Sequence, residues 1–129
     1  MFWKNKKLDT GSLGEKIAAK FLKKKGFKIV EFNFQNVKGR RLGELDIVAK
    51  KNGEIVFIEV KTRLTNDADV LPEENITRNK LNKLQKIAQV YLKDKDLTDK
   101  SYHFDAVSVL VSSEDGKIVK IKHLESIFI

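Results

Sequence analysis

Residues 42–61 read LGELDIVAKKNGEIVFIEVK, and the fold turns on how this stretch doubles back on itself. Asn52-Gly53 is a strong hairpin signal, because a type I′ turn needs positive φ at both central positions. Strands are therefore predicted over Leu42 to Ala49 and Glu54 to Lys61. A two-residue loop pairs Lys51 with Glu54, and counting back sets Asp46 opposite Glu59 and Glu44 opposite Lys61. Side chains alternate along a strand, so Glu44, Asp46 and Val48 share one face with Ile55, Phe57, Glu59 and Lys61. The other face is apolar, Leu45, Ile47 and Ala49 with Val56, Ile58 and Val60, and this is the side expected to be buried. Opposed carboxylates with Cβ atoms roughly 5 Å apart repel each other. A hard divalent cation bound by Asp46 and Glu59, Mg2+ or Mn2+, would offset that repulsion. Lys61 is placed to orient or deprotonate a water, or to stabilise charge on a phosphate. The alternative for the same residues is a surface ion-pair cluster in which Lys61 neutralises both acids.

On the N-terminal side, Leu13, Ile17, Ala18, Phe21 and Leu22 fall on one helical arc. Thr10 or Ser12 is the expected cap and Gly26 the stop after Lys25. Glu15 lies at the rim of that arc. FKIVEFNF (27–34) alternates and reads as a strand, followed by the basic loop QNVKGRR. On the C-terminal side, LTNDADVLPEEN reads as a mobile loop. The helical period then returns from Ile76 to about Lys93, with Leu84, Ile87, Ala88 and Tyr91 as its stripe and Lys80 one turn earlier. A strand YHFDAVSVLV, a turn at SEDG and a strand KIVKIKHL complete the chain, and the apolar ESIFI packs as a tail. The order α-β-β-β-α-β-β is an α/β sandwich with a mixed central sheet flanked by helices, expected as a single domain over 1–129.

The chain has no cysteine, which excludes disulfides, thiolate zinc sites and a cysteine nucleophile, and its two histidines lack ligand spacing. His103 and His123 are read as structural, and Asp105 as support for the fold. No apolar run of export or membrane length is present, so a cytoplasmic protein is expected. The formal charge of +8 is concentrated: residues 1–41 hold twelve Lys/Arg against three acids, the remainder fourteen against fifteen. That asymmetry suits a polyanion such as nucleic acid, with Lys23, Lys24, Arg40, Arg41, Arg63 and Lys80 as candidate phosphate contacts. Solvated lysines on a helix are the plainer reading. Trp3, beside Lys4, Lys6 and Lys7, is a candidate for base stacking.

The segments GSLGEKIAAKFLKKKGF, GELDIV, IVFIEVKTR, ITRNKL, AQVYL and HFDAVSV resemble, in order and spacing, the YraN-like family of bacterial proteins. That family is assigned to the PD-(D/E)xK superfamily, whose restriction-endonuclease-like core also occurs in archaeal Holliday-junction resolvases. The resemblance implies a magnesium-dependent phosphodiesterase acting on DNA in preference to RNA. Asp46, Glu59 and Lys61 match the D…ExK motif, and Glu15 the acidic residue of the first helix. Leu45 stands where the motif has proline. Junction resolvases act as dimers, so a homodimer is a further expectation. Two other classes compete with the enzyme: a catalytically inactive nucleic-acid-binding or scaffold module on the same fold, and a domain whose positive patch meets an acidic protein.

Overall fold

The computed structural model describes residues 6–65 and 77–127, with side chains from residue 11 onward. Its elements are α1 (Lys6–Lys24), β1 (Lys28–Gln35), β2 (Glu44–Lys51), β3 (Glu54–Thr65), α2 (Arg78–Asp94), β4 (Tyr102–Ser112) and β5 (Ile118–Leu124). The five strands lie in sequence order across one sheet. Neighbours are antiparallel except β3 and β4, which run parallel because α2 carries the chain across. This is the expected mixed α/β sandwich, consistent with a restriction-endonuclease-like core. Trp3 and most of the expected loop before α2 lie outside the described residues.

Asn52 and Gly53 have φ of 53° and 79°, and Lys51 pairs with Glu54. The register runs as expected to Ile47 opposite Ile58, where the ladder ends. The expected pair Asp46–Glu59 thus falls past the end of the ladder, and Glu44 is not paired with Lys61. It pairs instead with Gln35 of β1 and lies 3.9 Å from Arg41.

Both faces of the hairpin are covered, as expected of a central sheet flanked by helices, so Val48, Ile55 and Phe57 are buried as well as the apolar face. Ile47, Ala49, Val56 and Ile58 pack with Ala18, Ala19 and Leu22 of α1. Val48, Ile55 and Phe57 pack with Leu84, Ile87 and Tyr91 of α2. Leu45 departs from the alternation. It joins the α2 side while Ile47 and Ala49 lie under α1, and Phe34, its partner on β1, goes with it. Between the pairs Phe32–Ile47 and Phe34–Leu45 sit Asn33 and Asp46, and Asn33 has a left-handed φ of 54°. A single left-handed residue turns the strand over, and asparagine tolerates that conformation. The alternation of both strands reverses at Asp46.

Helix α1 starts at Lys6, so Thr10 and Ser12 lie inside it and do not cap it. Helix α2 is capped by Thr77, whose side-chain oxygen accepts the Lys80 N–H at 3.1 Å, and its stripe is buried as expected. Gly14 sets how closely α1 approaches the sheet. A methyl there would overlap the Thr62 hydroxyl and lie 2.8 Å from its Cβ. Helix propensity alone makes Gly14→Ala stabilising by about 1 kcal/mol. Overpacking costs about 1–3 kcal/mol, so we expect the variant to gain nothing from alanine and to be destabilised by up to about 2 kcal/mol, read by denaturant unfolding. A gain in stability would show that α1 is free to lift off β3.

Candidate metal and phosphate site

The charged residues singled out from the sequence do not all come together. Glu15, Asp46, Glu59 and Lys80 converge where the β2–β3 ladder ends. Asp46 is half-buried and its Oδ2 accepts the Val60 backbone N–H at 2.9 Å, so the side chain continues a ladder that the backbone has left. Burial is the largest influence on Asp46 and the Glu59 charge the next. Together they outweigh the Val60 hydrogen bond and push its pKa up to about 8, with smaller contributions from Glu15 and Glu44. In metal-free protein both causes favour the protonated form of this carboxyl. Glu59 is buried on β3, and its Oε2 lies 3.2 Å from Lys80 Nζ.

Glu15 reaches the same acidic group from α1, one residue after the close contact of Gly14 with Thr62. Partial burial raises its pKa. A hydrogen bond to the Asn33 side chain opposes that rise, while the charges of Glu44 and Glu59 add to it. Asn33 was not singled out from the sequence, although it opposes Asp46 in the register and holds Glu15. A lone asparagine in an alternating segment reads as an ordinary strand residue, and only the left-handed backbone gives it away.

Lys61 is half-buried on β3, two residues past Glu59, and makes interactions of its own; Arg63 is exposed and also has partners. Arg41 sits against Glu44 at the entry to β2. Its loop is held in shape by Asn36, whose side chain donates to the carbonyls of Lys38 and Arg40 at 2.9 Å each and accepts the Leu42 N–H at 3.0 Å. Arg40 lines a shallow groove with Val37, Val90 and Asp94. Lys23 and Lys24 end α1, about 12 Å along the axis from Glu15 at 1.5 Å per residue, and Lys24 borders a separate apolar groove with Ile118 and Ile121. They are not part of the acidic site.

The donor set suits a hard cation. Its acids bring only oxygen donors, and Asp46 is held in a form that an adjacent cation would relieve of its proton. Among the described residues no three histidine, cysteine or acidic side chains close around one point. An ion here would rest on Asp46 and Glu59 and complete its shell with water, as magnesium commonly does.

A second polar cluster lies elsewhere. Asp105, almost fully buried, accepts from His123 Nε2 at 2.8 Å and from the Ser126 N–H at 2.8 Å, and lies 3.3 Å from His103 Nε2. Lys25 Nζ is 2.7 Å from His123 Nδ1 and donates to it, which puts the ring proton on Nε2. His103 Nδ1 reaches Glu54 at 3.0 Å. The cluster ties the end of α1, β4, β5 and the tail together, so both histidines serve the fold.

The model of the uncharacterised protein family UPF0102 matches residues 14–109. A UPF0102 protein of Caldanaerobacter subterraneus subsp. tengcongensis is 40% identical over 124 residues, covering 96% of this chain and 97% of its own. One from Syntrophomonas wolfei is 45% identical over 120 residues, 93% and 97% of the two chains. One from Dictyoglomus turgidum is 36% identical, with the same coverage. No helix among the described residues is long and apolar enough to cross a membrane.

Proposed function

The chain belongs to the uncharacterised protein family UPF0102, and from that premise we propose that it is a metal-dependent nuclease hydrolysing phosphodiester bonds, with DNA as its substrate. The observation that carries this reading is Asp46. A half-buried carboxyl pushed up to about 8 by its burial and by the acid beside it is a poor way to build a stable sheet and a good way to build a cation site. The resemblance to the PD-(D/E)xK superfamily points the same way.

In this reading Asp46 and Glu59 hold Mg2+ or Mn2+. A bound cation supplies charge against the phosphate oxygens and lowers the pKa of water. The chain's own residues do the rest. Lys61 orients the attacking water or balances charge developing on the phosphate, and Glu15, fixed by Asn33, holds water at the rim. Arg41, on the loop that Asn36 braces, and Arg40 and Arg63 are the proposed contacts along the nucleic-acid backbone. Lys23 and Lys24 are reserved for substrate that extends along α1. A homodimer would supply two such sites.

One observation favours a second reading. Lys80 already pairs with Glu59, as it would in a nucleic-acid-binding module that has kept the fold without cleavage. A cleavage panel of branched, duplex and single-stranded DNA and RNA with magnesium or manganese separates the two. We expect metal-dependent cleavage of DNA that Asp46→Ala reduces by at least roughly a hundredfold, the loss of several kcal/mol of charge stabilisation. Salt-sensitive binding without turnover on every substrate would establish the module instead.

A further inference from the structure

Helix α2 begins with the wrong charge for its dipole. The free N–H groups of a helix N-terminus favour acids, yet the first turn of α2 has none and carries Arg78 and Lys80. Lys80 crosses to the sheet, where its Nζ lies 3.2 Å from Glu59 Oε2. The partners have unlike surroundings, the lysine half exposed and the glutamate buried. A buried carboxylate without a partner is costly, and the ammonium meets that need in the metal-free protein. A divalent cation on Glu59 and Asp46 would meet it with twice the charge and repel an ammonium at such range. The helix backbone at Lys80 is anchored by Thr77 at 3.1 Å, so the base of the side chain stays while its head is free to turn into solvent.

Resting on the proposed metal-dependent function, we propose that Lys80 is an exchangeable counter-ion: it holds Glu59 in the metal-free protein, is displaced when the cation binds, and then takes a phosphate oxygen of the nucleic-acid backbone. Metal and phosphate binding are thereby coupled, each strengthening the other, as linkage requires. Lys80 acts as a positioning residue whose charge is spent either on the site or on the substrate.

The test uses the full chain and Lys80→Met, which keeps the apolar stem. Calorimetric titration with Mg2+ alone should give an affinity roughly three- to tenfold tighter in Lys80→Met, since a half-exposed competing ion pair is removed. In EDTA the variant should melt lower than wild type, and saturating Mg2+ should close that gap. Affinity for a short DNA duplex should rise when Ca2+ is added to wild type, and that rise should be smaller in Lys80→Met, where only the cation's own contact with phosphate remains, and be kept in Lys80→Arg; an equal rise in wild type and Lys80→Met overturns the transfer of Lys80 to phosphate. Equal Mg2+ affinity in wild type and Lys80→Met overturns the exchange, and weaker affinity overturns it too, because Lys80 would then be orienting Glu59 for the metal. A wild type giving no Mg2+ binding heat removes the metal site itself and the exchange with it, an outcome distinct from the other two.

Discussion

Asp46→Asn is expected to abolish the stabilisation of the protein by magnesium or manganese and, in metal-free buffer at pH 8, to be more stable than wild type by a few kcal/mol. Both effects have one cause. Burial first and the Glu59 charge second push the Asp46 carboxyl up to about 8 from the usual 3.8. Between those values the folded chain holds a proton that the unfolded chain has released, so raising pH favours the unfolded state. The contribution of Asp46 is complete below about pH 4 and is lost as pH rises to 8. Asparagine removes the titration and retains an oxygen to accept the Val60 N–H. The advantage of the variant should therefore be small at pH 4 and grow toward pH 8. With metal the sign reverses, since binding expels the proton and stabilisation by cation increases with pH. Thermal unfolding of both proteins from pH 4 to 8, with EDTA and with Mg2+, checks all of this. A strongly destabilised Asp46→Asn in EDTA, beside a wild type that ignores metal, would make the acids a structural ion-pair cluster.

Asp105→Ala should destabilise the fold by about 3–5 kcal/mol, the usual consequence of removing one partner from a buried charged network. The carboxylate serves His123, His103 and the Ser126 N–H together, and the His123 side chain is only 3% exposed. Without it the imidazole N–H and the tail amide are left unsatisfied in a packed place, each at a cost of about 1–3 kcal/mol. His123 is also held edge-on by Phe21 and Phe27, which prevents it from turning out to solvent. Urea unfolding reads the loss directly. A change below about 1 kcal/mol would mean that water replaces the carboxylate and that the cluster is ornamental to stability.

Much of this architecture was legible in the chain itself, and the reasons differ from place to place. The β2–β3 register was readable because Asn52-Gly53 permits few turns and because a run of apolar residues on each strand penalises slippage. The stripe of α2 was readable from its period, and the crossover followed from strand–helix–strand order. The reversal at Asn33 and Asp46 was not. A two-residue period carries no mark of one left-handed residue, so Leu45 was assigned to the wrong side. The start of α1 was missed because serine and threonine are stronger cap formers than helix breakers and here lie within the helix. Of the site, Asp46 and Glu59 came from the hairpin count. The hold of Asn33 on Glu15 and of Lys80 on Glu59 joins residues far apart in the chain, which no local pattern encodes.

The parallel ladder sets an order of events. The hairpin of β2 and β3 closes on a two-residue turn, whereas the β3–β4 ladder must bring Ile55 to Tyr102 after the whole α2 crossover has been traversed. Local pairing forms in microseconds, and non-local parallel pairing bears the entropy of closing a long loop before any contact rewards it. The nascent hairpin thus carries Asp46 and Glu59 before α2 has delivered Lys80. Until α2 is in place Glu59 lacks the ammonium that accompanies it in the folded protein, so we expect refolding to be faster with Mg2+ than with EDTA, a difference that stopped-flow mixing reads directly.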